Sequence, residues 1–145
     1  MRISMKSDYA LRAMLELAAA HGGRPLQSSE IAARRGIPES YLEQLLTVLR
    51  KAGFINSIRG PQGGHQLAMH PSRVTVGDIV RALEGPVVAV DCLDGSASCQ
   101  LSPNCALQEM WAEVRAAAEA ALDGVTLEDL ASREDARAGR VMYHI

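Results

Sequence analysis

The fold is decided by residues 28–50, which read SSEIAARRGIPESYLEQLLTVLR. One of the two serines at the start can cap a short helix that ends at Arg35, because a serine hydroxyl accepts a hydrogen bond from a free N–H group of the first turn. Gly36 supplies the tight turn that follows, and Pro38 suits the first turn of a second helix. The stretch therefore predicts two helices joined by a short turn.

The second of these helices is amphipathic. Its apolar stripe consists of four leucines at helical spacing, Leu42, Leu45, Leu46 and Leu49. Its other side is polar and carries Ser40, Glu43, Gln44, Thr47 and Arg50. A short helix, a glycine turn and an amphipathic helix with outward hydrogen-bonding groups form the helix-turn-helix pattern, in which the second helix enters the major groove of DNA.

A glycine-rich hairpin is predicted directly after this helix. Phe54–Ile58 and Gln66–Met69 have the character of short strands, and they flank the run Arg59-Gly60-Pro61-Gln62-Gly63-Gly64. Glycines let a hairpin lie close to a sugar-phosphate backbone, and the planar guanidinium of Arg59 suits a phosphate or a narrow minor groove. A nucleotide-phosphate loop is a poorer interpretation, because the run lacks the Lys-Ser/Thr ending and leads into a strand. The hairpin is typical of a wing.

Further helices are predicted on both sides of this pattern. They cover Ser7–His21, the segment from a Thr75/Asp78 capping box to Gly85, Cys105–Leu122, and Thr126–Ala131. The expected class is mainly α with a small β-hairpin wing: a winged helix-turn-helix domain over residues 1–85, a cysteine-bearing loop over 86–104, and a dimerisation helix with a C-terminal tail over 105–145. The wide apolar face of that helix predicts a homodimer. Docking onto the first helix of the same chain is the alternative.

Charge is distributed unevenly along the chain. The 145 residues are 48% hydrophobic and 22% charged, with a net charge of −2, which is typical of a soluble globular protein. Residues 1–73 carry ten Lys/Arg and five Asp/Glu, whereas residues 74–145 carry five and twelve. This fits a module that binds double-stranded DNA and has a separate sensing or oligomerising part, since phosphate neutralisation needs local positive charge. Chance unevenness of solvated faces is the alternative.

Two broad classes of protein are disfavoured. No apolar run reaches the roughly 18 to 20 residues that span a bilayer, and Arg2, Lys6 and Asp8 interrupt the place of a secretory signal. We therefore expect a cytoplasmic protein without a membrane partner. An enzyme is not expected either, because no cysteine has a recognisable base and orienting partner.

Three cysteines, Cys92, Cys99 and Cys105, lie close together in the sequence. Their odd number makes a poor disulfide framework. Three soft thiolates on a loop suit an iron–sulfur cluster, while zinc and a bare thiol sensor remain open. The candidates for a fourth ligand are Asp8, His21, His65, His70, Asp91, Asp94 and Glu109. An oxygen ligand would hold iron weakly and leave a position where a small-molecule signal could attack.

Several of these segments together resemble the Rrf2 family of winged-helix regulators. They are Met1–Ser4, Ser7–Met14, Ser40–Leu45, Arg59–Gly64 and the three cysteines. The resemblance implies that Ser40, Tyr41, Glu43 and Gln44 face bases or phosphates in the major groove. It also implies that Arg59 reaches the minor groove and that Cys92, Cys99 and Cys105 hold a cluster. The full predicted DNA-binding set is Ser28, Ser40, Tyr41, Glu43, Gln44, Arg50, Arg59, Gly60, Gly63 and Gly64.

At the position of the fourth ligand, this chain differs from one branch of that family. That branch has a histidine three residues after the third cysteine, where this chain has Gln108. A branch that senses nitric oxide uses an aspartate near the N-terminus of the other subunit, and Asp8 stands in that place. A solvated or helix-capping role is the alternative for Asp8. We interpret His65 as a wing residue that packs or contacts the DNA backbone.

The expected function is a homodimeric regulator of transcription on a palindromic operator. Its predicted cofactor is an iron–sulfur cluster, 4Fe-4S rather than 2Fe-2S, and its signal is iron, redox state or nitric oxide acting on the cluster. The alternative is a cluster-free regulator of the same fold that responds to a metabolite, an enzyme partner or thiol oxidation.

Overall fold

The structure, a computed structural model, describes residues 2–95 and 104–139. Its elements are α1 (Met5–Ala19), α2 (Ser28–Arg35), α3 (Glu39–Lys51), β1 (Ile55–Ile58), β2 (Gly64–Leu67), α4 (Val76–Glu84), α5 (Ala106–Asp123) and α6 (Leu127–Arg137). Two single turns of 3-10 helix, Pro71–Arg73 and Asp91–Leu93, precede α4 and α5. The two strands pair antiparallel, from Ile55 opposite Leu67 to Ile58 opposite Gly64. The predicted class, mainly helical with a small hairpin wing, is confirmed.

The helix ends follow local chemistry. Thr75 and Asp78 form the predicted capping box at the start of α4, with each side chain bonded to the other residue's backbone N–H. The α2 helix ends at Gly36, whose φ of +64° places it in the left-handed region that glycine adopts without strain. That turn lets α3 start three residues later, which gives the short connection of a helix-turn-helix.

A single aliphatic core lies around α1, which packs against α2, α3, α4 and α6. Burying one large aliphatic side chain stabilises a fold by about 1.5–3 kcal/mol. The core joins the two helices of the helix-turn-helix, the hairpin and the C-terminal helix into one unit. Its largest buried side chains include Met14, Leu17, Ile31, Leu42, Leu46, Leu49, Ile55, Ile79 and Leu127.

The last helix differs from its prediction. It continues to Arg137 instead of ending at Ala131, and its first residue, Leu127, is fully buried in the core. Arg35 of α2 explains the extension, because its guanidinium binds both carboxylate oxygens of Glu134 at 2.8 and 2.9 Å. This contact joins residues 99 positions apart, so helical spacing alone could not reveal it. Across residues 2–95 and 104–139, the helices are too short or too polar to cross a membrane.

Candidate nucleic-acid interface and cysteine segment

The outer face of α3 is available to a ligand. Leu42, Leu45, Leu46 and Leu49 point into the core, as predicted. Ser40, Glu43, Gln44 and Arg50 are exposed on the opposite side. Tyr41 is half-buried, and its ring packs edge-on against Tyr9 of α1 with the centroids 5.9 Å apart. The tyrosine pair fixes the start of α3 on α1, while the polar side chains stay free to approach base edges.

The wing is held in shape by two of its glycines. A Cβ atom on Gly63 would lie 2.0 Å from the carbonyl oxygen of Ile58, and one on Gly64 would lie 2.5 Å from that of Leu26. These positions therefore need glycine for packing within the chain itself. Gly60 accepts a hydrogen bond from the Gly63 N–H at 2.9 Å, which closes the turn. Arg59 lies beside this turn, exposed, and forms no ion pair within the described ranges.

His65 joins the wing to the helix-turn-helix. Its backbone pairs with Leu26 through two hydrogen bonds of 2.9 and 2.7 Å. Its Nε2 lies 3.0 Å from the Ser28 hydroxyl and its Nδ1 lies 2.9 Å from the Ser57 hydroxyl. Partial burial lowers the pKa of this imidazole, although Glu43 opposes the shift. The structure thus gives His65 a packing role. The Ser28 hydroxyl is engaged by His65, so a DNA contact by Ser28 stays a prediction.

An open groove of about 350 Å³ separates α3 from the wing. It is bordered by the start of α2 at Gln27–Ser29, by Glu39 and Glu43 of α3, and by Gly60, Gly63 and Gly64 of the wing. Backbone N–H groups at a helix start and in a glycine turn are suited to bind phosphate oxygens. Eight of the ten residues predicted to bind DNA border this groove or lie exposed on α3: Ser28, Ser40, Glu43, Gln44, Arg50, Gly60, Gly63 and Gly64.

Two of the three cysteines lie on elements that pack together, the 3-10 turn before α5 and the start of α5. Cys92 lies in the 3-10 turn Asp91–Leu93, and Cys105 is the N-cap residue of α5. Gln108, in the first turn of α5, donates its side-chain N–H to the Cys92 carbonyl at 3.1 Å. Both thiols are half-buried and unbridged. Cys99 lies outside the described residues.

The cysteines among the described residues fit part of an iron–sulfur site. Cys92 and Cys105 offer the soft sulfur ligands that such clusters use, and a groove of about 560 Å³ opens beside Cys105 and Leu93. The described residues contain no group of three His, Cys, Asp or Glu side chains arranged to hold a metal ion. Asp8 pairs with Arg12 of its own helix at 2.8 Å. Its predicted role as a ligand stays a prediction.

An apolar strip remains exposed on α5. The exposed fractions are 59% for Leu107, 40% for Met110 and 38% for Trp111. Trp111 and Val114 also line a largely apolar groove of about 390 Å³ against Val87–Val90. The predicted surplus of apolar surface on this helix is therefore present in the single chain.

The helix-turn-helix, its exposed second helix and the hairpin define a winged-helix DNA-binding protein. The Rrf2 family model, described as an iron-dependent transcriptional regulator, matches residues 3–133. The chain belongs to the Rrf2 family, and it is a DNA-binding transcriptional regulator and not an enzyme.

Individual relatives support this assignment. The chain is 42% identical to the HTH-type transcriptional regulator CymR of Bacillus subtilis over 145 residues, all of both proteins. The structure of CymR, the global cysteine regulator of B. subtilis, superposes with a TM-score of 0.80 over 92% of this chain and 98% of that one. The IscR regulator of Aliivibrio salmonicida is 37% identical over 90% of this chain and 77% of that protein. The structure of T. potens IscR is 38% identical, with a TM-score of 0.77 over 99% and 97%.

Two contacts in this region were missed by sequence reasoning. The Ser57 hydroxyl bound to His65 and the side chain of Arg115, which reaches the cysteine segment, have no local pattern that marks them. The first joins residues that face each other across the hairpin, and the second joins residues 27 positions apart in the sequence.

Proposed function

We propose that this regulator is a homodimer that binds a palindromic operator and senses its signal through an iron–sulfur cluster on Cys92, Cys99 and Cys105. The observation that carries the proposal is the packing of the 3-10 turn that holds Cys92 on α5, whose N-cap residue is Cys105, beside an open groove. Both thiols belong to the acidic part of the chain, apart from the basic DNA-binding part. Sensing and DNA binding thus have separate sites in one chain.

The DNA contacts follow from the exposed face of α3 and from the wing. Gln44 has the amide that pairs with adenine, and Glu43 has a carboxylate that accepts from the cytosine amino group. Arg59 extends from the wing toward a phosphate or the minor groove. A dimer would place two copies of α3 in successive major grooves, about 34 Å apart. The exposed strip of Leu107, Met110 and Trp111 supports pairing through α5.

The cluster, when bound, supplies a redox-active and signal-labile centre. Cys92 and Cys105 would hold it from the two sides of residues 93–104, and Cys99 would be the third thiolate. We assign the fourth position to Asp8 of the partner subunit and favour a four-iron cluster. Gln108 is not assigned as a ligand, because its side-chain amide donates to the Cys92 carbonyl.

The proposed mechanism links the thiols to operator affinity. Ligation of the thiols would fix residues 86–105 between α5 and α1 of the partner subunit, and this would fix the separation of the two α3 helices. Release of the thiols would free that segment and change the separation. The operator would then be bound with a different affinity.

A second candidate function is a cluster-free regulator that responds to thiol chemistry or to a cysteine-linked signal. The full-length similarity to CymR, the global cysteine regulator of B. subtilis, favours this candidate. The presence of Gln108 at the position of a family histidine ligand also favours it.

The deciding experiment is anaerobic reconstitution of the reduced protein with iron and sulfide. We expect a visible charge-transfer band that Cys99→Ala abolishes and that decays faster in Asp8→Ala. Operator binding is measured by fluorescence anisotropy for the reconstituted form and the metal-free form of each protein. A colourless protein with one zinc per chain would contradict the cluster, whereas operator affinity that changes with thiol oxidation alone would establish the second candidate. An unchanged lifetime in Asp8→Ala would remove Asp8 from the ligands.

A further inference from the structure

One side chain of α5 binds the segment that carries Cys92 at two points. Arg115 donates from Nε to the Val88 carbonyl at 2.8 Å, and its Nη2 also bonds to that carbonyl. The same Nη2 lies 2.9 Å from Asp94 Oδ1. Val88 and Asp94 lie on either side of Cys92, four residues before and two residues after it. The guanidinium therefore bridges the two ends of this short segment.

Gln108 provides a third point of attachment on the same face of α5. Gln108 and Arg115 are seven residues apart, close to two full helical turns, so their side chains share a face. Gln108 binds the carbonyl of Cys92, between the two points held by Arg115. Within the segment, the Leu93 N–H bonds to the Val90 carbonyl at 2.9 Å and closes the 3-10 turn. The segment is thus attached before, at and after the cysteine.

Burial makes these contacts effective. The side chain of Arg115 is 17% exposed and that of Asp94 is 31% exposed, whereas the partners of the surface pair Arg12–Asp8 are 42% and 45% exposed. A charged donor shielded from water holds its acceptor more firmly than an exposed one does. A guanidinium also presents several N–H groups in one plane, which a lysine cannot do.

We propose that Arg115 is a positioning residue that holds residues 88–94, and with them the Cys92 thiol, against α5 before any cluster or other thiol ligand binds. This proposal deepens the proposed function, and the role of Arg115 in sensing rests on that function. The positioning itself is a property of the metal-free protein. Cys92 starts from a fixed position relative to Cys105, so less conformational freedom is lost when both sulfurs bind one centre.

The test is the alkylation rate of each thiol in the reduced, metal-free protein, resolved by mass spectrometry of peptides. We compare the wild type with Arg115→Leu, with Arg115→Lys, and with Arg133→Leu as a matched control on α6. Loss of a charged hydrogen bond corresponds to about tenfold or more in the local opening equilibrium, so alkylation of Cys92 should be about tenfold faster in Arg115→Leu. Arg115→Lys should restore only part of the protection, and Arg133→Leu should match the wild type.

Selectivity separates positioning from a general loss of stability. Cys105 is the N-cap residue of α5 and is not held by Arg115, so its rate should change less than twofold. Equal acceleration at both cysteines, or an unchanged rate at Cys92, would overturn the proposal. Asp94→Asn, which removes only the ion pair, provides a milder variant and should give an intermediate rate at Cys92. A Cys92 alkylation rate in Asp94→Asn equal to that of the wild type, together with a wild-type rate in Arg115→Leu, would also overturn the proposal.

A parallel reconstitution with iron and sulfide keeps the two proposals distinguishable. Faster loss of iron to a chelator in Arg115→Leu than in the wild type is the expected result. If the wild type assembles no cluster while alkylation of Cys92 still accelerates in Arg115→Leu, the cluster is wrong and the positioning role stands. If the wild type assembles a cluster and all alkylation rates are equal, the positioning role is wrong and the cluster stands.

Discussion

At the scale of single residues, Arg59 offers a direct test of the wing. Its side chain is exposed on the wing, so its removal should leave folding intact. We expect Arg59→Ala to weaken binding to every sequence and to lower the slope of log affinity against log salt by about 0.9, the effect of one phosphate contact. Arg133→Ala on α6 removes the same charge away from the wing and should leave the slope unchanged. Equal slopes for Arg59→Ala and the wild type would show that Arg59 does not contact the backbone.

His65 gives the fold a specific dependence on pH. Burial lowers its pKa below the usual value of 6.5. The unfolded chain therefore takes up the proton at a higher pH than the folded chain does. The stabilisation from the neutral imidazole is complete above pH 6.5 and is lost as the pH falls through the folded pKa.

We expect the free energy of unfolding to decrease below pH 6.5 in the wild type and to decrease less in His65→Gln. Urea denaturation between pH 5 and 8 measures both proteins. A glutamine amide offers both donor and acceptor groups to Ser28 and Ser57 and does not titrate. Parallel pH profiles for the two proteins would contradict this role.

At the scale of elements, the wing illustrates what local sequence contains and what it omits. The run Arg59–Gly64 predicted a hairpin, and the strands were found within two residues of the expected positions. We attributed its glycines to the approach of DNA. In the structure, Gly63 and Gly64 lie against the backbone of Ile58 and Leu26. The requirement at Gly63 arises within the hairpin itself, whereas that at Gly64 comes from the packing of the wing on the segment before α2, a contact that no local pattern contains.

Gly63→Ala tests this explanation. The added methyl group would lie 2.0 Å from the Ile58 carbonyl oxygen, so the turn must open. We expect a loss of about 1–3 kcal/mol in the free energy of unfolding, with weaker operator binding, as measured by chemical denaturation and anisotropy. Gln62→Ala is the matched control, because Gln62 is an exposed neighbour in the same turn. A Gly63→Ala protein as stable as Gln62→Ala would show that the glycine serves DNA contact alone.

At the scale of the whole molecule, the sequence predicted the elements better than their long-range contacts. The apolar spacing of α3 was sufficient to place its buried face. The extension of α6 depends on the contact of Arg35 with Glu134, and the order of the cysteine segment depends on Arg115. Each pairs a charged side chain with a partner far away in the sequence. Such pairs become visible only when the helices are packed.

The quaternary structure is tested by the exposed strip on α5. A charge placed in an apolar interface must be desolvated without a partner, which opposes association. We expect Trp111→Glu to shift the protein from dimer to monomer in sedimentation velocity and to weaken operator binding, because the two half-sites are then bound independently. Ala116→Glu is the control, since Ala116 is exposed on the opposite face of the same helix. If Trp111→Glu sediments as the wild type does, α5 is not the dimer interface, and the spacing of the two α3 helices must be set by another surface.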